Sequence, residues 1–542
     1  MSAPALELGP REDEFLTLGL FLDEVARRHD RRTAVVFGDE RISYRELRAR
    51  SRALAKALAA NGVGKGTKVA LLMANRPEWI VAAFAVGMIG GVLVPLNTFS
   101  PAEEIDWVLR HSDASLLLVQ PHLLQHAFLD DLLAAHPLLR EGRPGALADP
   151  SLPYLRRIVA LDAFDELLRS AASVSDELLD AMAAEVRPSD DALIVYTSGT
   201  TERPKGVLHA HEAPCIQFWR WKQQLRLDSD DRVWSTFPYF WTAGFSMSLG
   251  GTLAAGATLV VQEVFEPGAA LDAIERERVT TVHLFAAGQS ELAEHPTARS
   301  RDLSSLRHLM RDSPLRRLPG VKPLDWDPGA AYGLSETFTI CTSLPSDSPL
   351  ELRKTTHGVA LPGMQIRIVD EAGAPFPIGH TGEIAVKGVT AMRGYYKVDP
   401  GETFDADGYF HTKDAGHLDA KGYLHWHGRI SGLIKTSGAN VSPVELETAL
   451  LAWGRVKAAG VVGVPDKRLG EIVVACVIRR SDDPVTEDDV RGYLRNRVAA
   501  YKVPRHVLFF ADGEIEFTGS QKIKLNELRE LAARRLAAAV AS

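Results

Sequence analysis

Two hydrophobic periods take turns along this chain. Lys68 to Met73 (KVALLM), Ala257 to Val261 (ATLVV) and Thr281 to Phe285 (TVHLF) are apolar runs of strand length, whereas Tyr44 to Asn61 places its apolar residues at helical spacing. Strand and helix patterns in alternation predict α/β layers. Trp79 to Leu96 (WIVAAFAVGMIGGVLVPL) is apolar for about the length of a membrane span. Gly87, Gly90, Gly91 and Pro95 interrupt it, so it predicts a buried helix, a turn and a buried strand.

From about Glu371 the texture changes to short strands and turns, with EAGAP, ADG and AKG at loop positions and Gly428-Arg429 beyond them. A boundary near residue 430 is predicted. It divides a large α/β amino-terminal domain of several subdomains, residues 1–430, from a small mobile α+β domain, residues 431–542. In the smaller part Pro443 to Leu451 reads as a helix and Glu471 to Ile478 as a strand. Thr486 to Val498 reads as a helix behind a threonine cap with an acidic first turn. Residues 121–153, rich in Leu, His and Pro, read as an insertion.

Composition narrows the classes. With 542 residues, 46% hydrophobic and 24% charged, there is more chain than one core usually organises. A net charge of -8 without a basic block offers no footprint for nucleic acid or anionic lipid. Cys215, Cys341 and Cys476 lie far apart, with neither disulfide nor zinc spacing. The amino terminus lacks the basic and apolar regions of a signal peptide, and a cytoplasmic location is expected.

The chemistry begins at YTSGTTERPKGV, Tyr196 to Val207, which follows the apolar run Ala192 to Val195. Small residues let successive backbone N–H groups wrap an anion, hydroxyls add donors, and Lys205 supplies positive charge. A phosphate cradle is the functional reading, and a polar strand-to-strand turn is its structural alternative. Further along lie AYGLSET (Ala331 to Thr337), TGEIAVKG with MRGYY (Thr381 to Gly388, Met392 to Tyr396), and DGYFHTKDAG (Asp407 to Gly416). GRISGLIKTSGANVSPVELE (Gly428 to Glu447) and TGSQKIK (Thr518 to Lys524) complete the set.

These six motifs, in this order from about Ser43 to Leu528, resemble those of the adenylate-forming superfamily and its acyl-CoA ligases. The resemblance implies synthesis of coenzyme A thioesters from a carboxylic acid by way of an acyl-adenylate, with ATP, Mg2+ and coenzyme A as cofactors. It implies that Thr197, Ser198, Gly199, Thr200, Thr201 and Lys205 hold phosphates, and that Tyr332, Gly333 and Ser335 border adenine. Glu336 turns toward magnesium. Asp414 accepts hydrogen bonds from both ribose hydroxyls, as a carboxylate can, and Arg429 adds fixed charge nearby. Lys522 bridges the carboxylate and the α-phosphate while charge develops. Gly438, Ala439 and Asn440 line the pantetheine tunnel, and Gly432 sits at the hinge. FPYFWTAG resembles the segment lining the acyl pocket, which assigns Trp241, Thr242, Gly244 and Phe245 to it. Trp241 stands where many members place histidine, and where the resemblance implies that amino-acid-activating enzymes place an aspartate to hold the substrate ammonium, which disfavours amino-acid activation and suggests an apolar, bulky acid. YKVPRH (Tyr501 to His506) resembles the coenzyme A ligases.

Four departures fall in nucleotide-handling or hinge motifs. Glu202, Lys413 and Gln521 stand where the family has glycine, and Gly432 replaces an aspartate. A glutamate at 202 sets a like charge beside the triphosphate, with roughly 1 kcal/mol of repulsion in water and about 4 at an effective dielectric of 20. Three readings remain open. The enzyme either keeps thioester formation with a weakened adenylating half, taking preformed acyl-AMP from a separate adenylating enzyme, or runs both steps with ATP. The third is a binding module that holds acyl-adenylate or coenzyme A without turnover.

Overall fold

The computed structural model describes residues 14–197, 203–436, 439–466, 469–480, 485–495, 497–498, 502–516 and 523–541. The chain divides into two compact units. The first comprises residues 1–365 and 386–410, the second residues 366–385 and 411–542.

Two large sheets, with a small three-stranded one formed by Ala331–Tyr332, Thr342–Ser343 and Val359–Ala360, organise the first unit among the described residues. The larger runs Gly394–Tyr395, Lys205–Ala210, Asp191–Thr197, Val92–Pro95, Lys68–Leu72, Leu116–Val119 and Arg157–Ala160. From Asp191–Thr197 to Arg157–Ala160 every neighbour is parallel. Parallel strands are covered by helices on both faces and read as unbroken apolar runs, the pattern of KVALLM. The other sheet runs Thr281–His283, Arg232–Ser235, Thr258–Val261, Thr33–Phe37 and Glu40–Ser43.

The doubtful apolar stretch resolves as its glycines predict. Pro77–Met88 is a helix buried all round except at Glu78, and Val92–Pro95 is a core strand. Between them Gly90 takes the left-handed φ of +71°. Among the described residues, no helix is long and apolar enough to cross a membrane. Ser43 caps the helix Tyr44–Ala60 through a capping box with Glu46, which fixes where the helical period starts. The 121–153 segment folds as two short helices, Phe128–Ala135 and Leu138–Glu141, whose Phe128, Leu132 and Leu139 join the core of the larger sheet.

Two further sheets account for most of the second unit among the described residues. One runs Met364–Val369, Gly382–Gly388, Phe410–Leu418, Leu424–Arg429. The other joins Ala439–Val441, Ile434–Thr436, Gly470–Arg479 and Val456–Asp466, with His506–Phe510 parallel to Gly470–Arg479. The helices Pro443–Leu451 and Glu487–Arg495 pack on the second sheet through Leu446, Leu450, Val490 and Leu494. Residue 430 lies inside this unit rather than at its edge.

Candidate active site

Two antiparallel strands present the phosphate motif. Asp191–Thr197 and Lys205–Ala210 pair with Thr197 opposite Lys205 and Tyr196 opposite Gly206, which sets the loop between them at the strand ends. Ser198, Gly199, Thr200, Thr201 and Glu202 lie outside the described residues. Behind the loop, the Tyr196 hydroxyl meets His111 Nδ1 at 2.8 Å, and His111 stacks on Trp107. Burial pushes the Tyr196 phenol up and the His111 imidazole down, which favours the neutral form of both.

The AYGLSET segment makes a two-residue strand, Ala331–Tyr332, and then a tight turn, Ser335–Thr337. A Cβ on Gly333 would lie 1.6 Å from the Thr339 carbonyl oxygen, so no other residue fits there. After the turn, Phe338 and Thr339 adopt left-handed φ values of +48° and +94°, a strained path for side-chain-bearing residues. Gln217 holds it by donating to the carbonyls of Thr337 and Ile340 at 3.0 and 2.6 Å, and the Trp221 indole N–H donates to Thr339 Oγ1. His209 Nε2 donates to the Ser335 carbonyl at 2.8 Å, and burial drops its pKa to about 4. Tyr332 is largely buried, and the half-buried Glu336 accepts at Oε1 from the Tyr395 hydroxyl at 2.7 Å. The ring of Tyr395 lies 5.4 Å beneath the Lys205 ammonium. Lys205, Glu336 and Tyr395 therefore meet in one place.

Trp241 is half-buried and edge-on to Phe99, Phe240 and Phe285, with centroids 6.0, 5.5 and 6.2 Å away. With Tyr196, Asn97 and Ser100 it lines a void of only about 30 Å3. Gly244 begins a π-helical turn, Gly244–Gly250, and a Cβ there would lie 2.0 Å from the Pro238 carbonyl oxygen. Thr242 is buried and accepts at its carbonyl from Ser246. Phe245 is 1% exposed, enclosed edge-on by Trp79, Phe218 and Phe338.

The remaining sequence candidates lie in the second unit. Asp414 is buried and pairs with Arg429 Nε at 3.1 Å across the hairpin. Arg429 also donates to the Thr412 carbonyl at 2.8 Å, yet more than half of its side chain stays exposed. Gly432 closes a short turn, Ile430–Gly432, and a Cβ there would meet only Arg429 Cβ at 3.8 Å. Ala439 and Asn440 lie on the strand Ala439–Val441, opposite Thr436 and Lys435. Gly438, Gln521 and Lys522 lie outside the described residues. Of YKVPRH, Lys502 pairs with both oxygens of Glu445 at 2.7 to 2.8 Å.

Sequence reasoning missed Tyr395, Gln217 and His209. MRGYY was visible as a motif, but the partner of Tyr395 lies 59 residues earlier, and nothing in the spacing names it. The donor set suits magnesium, which takes oxygen ligands and keeps much of its shell for phosphate and water. Glu336 is a carboxylate with one oxygen already engaged, and no group of three or more His, Cys, Asp or Glu among the described residues forms a cage of its own.

Residues 22–396 match the AMP-binding enzyme family and residues 445–522 the AMP-binding enzyme C-terminal domain. The feruloyl-CoA synthase of Amycolatopsis sp is 34% identical, over 93% of this chain and 96% of that protein. The 3-[(3aS,4S,7aS)-7a-methyl-1,5-dioxo-octahydro-1H-inden-4-yl]propanoyl:CoA ligase of Rhodococcus jostii is 33% identical, over 94% and 97%. O-succinylbenzoate coenzyme A synthetase from Bacillus subtilis, solved with ATP and a magnesium ion, superimposes with a TM-score of 0.71 at 26% identity, covering 94% of this chain and 98% of that one. On the family match and these full-length likenesses, the chain belongs to the AMP-binding enzymes, among the acyl-CoA ligases that work through an acyl-adenylate.

Proposed function

We propose that this chain joins a bulky, apolar carboxylic acid to coenzyme A in two half-reactions, an adenylation with MgATP and a transfer to the thiol. The observation that carries the reading is the Glu336 carboxylate, fixed by Tyr395 beside Lys205, an anion and a cation on one support. The substrate carboxylate attacks the α-phosphorus in line, the bond to pyrophosphate breaks, and the thiol of coenzyme A then displaces AMP from the acyl carbon. Lys205 and the hydroxyls of Thr197, Ser198, Thr200 and Thr201 hold the phosphates, Asp414 the ribose, and Lys522 the developing charge. Glu336 would hold magnesium, which would supply positive charge toward the phosphates. Gly432 is the pivot by which Lys522 and the residues Gly438, Ala439 and Asn440 serve the two half-reactions in sequence.

The substrate class rests on Trp241 and its aromatic neighbours, which suit a flat or fused-ring acid. Two relatives support it, since the names they carry denote ring acids. Glu202 favours a second reading, in which the adenylating half is slow and preformed acyl-AMP from a separate enzyme is the better substrate. One experiment separates the two. Acid-dependent exchange of labelled pyrophosphate into ATP, at rates matching thioester formation, establishes the two-step ligase and sinks the second reading. Little exchange, with thioester still formed from synthetic acyl-adenylate and coenzyme A, overturns the two-step ligase. In that case Glu202→Gly should raise ATP use by roughly five- to several-hundredfold, the equivalent of about 1 to 4 kcal/mol.

A further inference from the structure

Residues 392–396 take no part in those steps, yet they grip Glu336 twice. Arg393 N donates to the Leu208 carbonyl at 2.8 Å and Tyr396 N to the Gly206 carbonyl at 2.7 Å, which zips this short edge strand onto the strand that begins at Lys205. Successive side chains on a strand face opposite ways. Tyr396 accordingly sends its hydroxyl to Asp113 Oδ2 at 2.9 Å, while Tyr395 sends its own to Glu336 Oε1 at 2.7 Å. Met392 N donates to the main-chain carbonyl of Glu336, also at 2.7 Å. Backbone and side chain of Glu336 are thus held from the same five residues, and the Tyr395 ring carries the Lys205 ammonium.

We propose that Tyr395 is a positioning residue for metal-bound ATP: it holds Glu336 by one oxygen so that the other meets Mg2+, and its ring seats Lys205 toward the phosphates. Magnesium demands near-octahedral geometry and accepts a carboxylate through one oxygen, so a glutamate free to rotate is a poor ligand. A neutral phenol donor fixes the rotamer and leaves the charge in place. Loss of such an outer hydrogen bond typically weakens metal binding about 10- to 100-fold. The inference rests on the ATP-dependent reading above.

Tyr395→Phe in the full chain keeps the ring and removes only the hydroxyl. Calorimetric titration of ATP at graded Mg2+ should show the Mg2+ concentration for half-maximal tightening rise about 10- to 100-fold over wild type. The Mg2+ dependence of acid-dependent pyrophosphate exchange should shift with it. Tyr396→Phe, whose hydroxyl serves Asp113, should leave both curves in place. An unshifted calorimetric curve in Tyr395→Phe overturns the proposal, and it does so equally if the variant melts earlier, because the hydroxyl is then only structural. Wild type that binds MgATP without exchange overturns the adenylation reading alone. Wild type that binds no MgATP overturns both.

Discussion

At Trp241 an indole stands in a packed cluster of Phe99, Phe240 and Phe285 beside a void too small for an acyl group. The ring is half-buried, so it forms a wall that can be cut back. Trp241→Ala should change the profile of acids accepted, measured by mass spectrometry of the thioesters, more than it changes the affinity for coenzyme A. An unchanged profile with earlier unfolding would reduce Trp241 to packing. Lys413 offers a second test. Its φ is +59°, left-handed, its side chain is exposed, and its N–H donates to Glu383. A glycine at this position would avoid a left-handed penalty of about 1–2 kcal/mol, less about 0.5–1 for its looser unfolded chain. Lys413→Gly should therefore raise the unfolding free energy by up to about 1.5 kcal/mol, read as a higher denaturation midpoint, whereas Lys413→Val should lower it. Such residues show how far the sequence could be read. The lysine is visible in the sequence, but the left-handed φ it adopts is not.

At the scale of elements the apolar periods carried the most information. KVALLM, ATLVV and the helix from Tyr44 emerged within a residue or two, because a parallel strand buried on both faces and a capped amphipathic helix each leave a one-dimensional trace. The left-handed turn at Phe338 and Thr339 left none, since Gln217 and Trp221 support it from more than a hundred residues away. The turn Ile430–Gly432 lies between these cases. Its present conformation has room for a Cβ, so glycine is not required by this conformation alone. If Gly432 turns between two backbone states, Gly432→Pro should abolish turnover while acyl-adenylate binding stays measurable by calorimetry. Unchanged turnover would reject the pivot.

For the whole molecule, three buried neutral imidazoles set the acid limit. Burial lowers the pKa of His209 and His211 to about 4 and that of His283 to about 3. His211 Nδ1 accepts from the Leu18 N–H, and His283 Nδ1 meets Ser248 Oγ, so the neutral forms are wired into the fold. Each folded-state value lies below the unfolded value near 6.5. The unfolded chain thus binds more protons between the two, and stability falls as the pH drops below about 6.5, levelling off only below about 4 to 3. Thermal melts between pH 7.5 and 4.5 should show a loss on the order of several kcal/mol in total. His209→Gln should flatten part of that slope.

The path of the chain between the two units bears on how such enzymes can be recombined. It passes from one unit to the other after residues 365, 385 and 410, so no single cut releases the second unit intact. A splice near 411 would fall within the strand Phe410–Leu418 and leave a donor hairpin to zip onto a foreign neighbour. A splice near 430 spares that sheet but parts Ser442, whose hydroxyl donates to the His427 carbonyl, from its acceptor, and Val444 from the strand residue Gly428. Hybrids that exchange everything after residue 430 therefore inherit a seam at which His427 and Gly428 must suit the incoming helix Pro443–Leu451, and parents alike at that seam will be the ones that trade carboxyl halves freely.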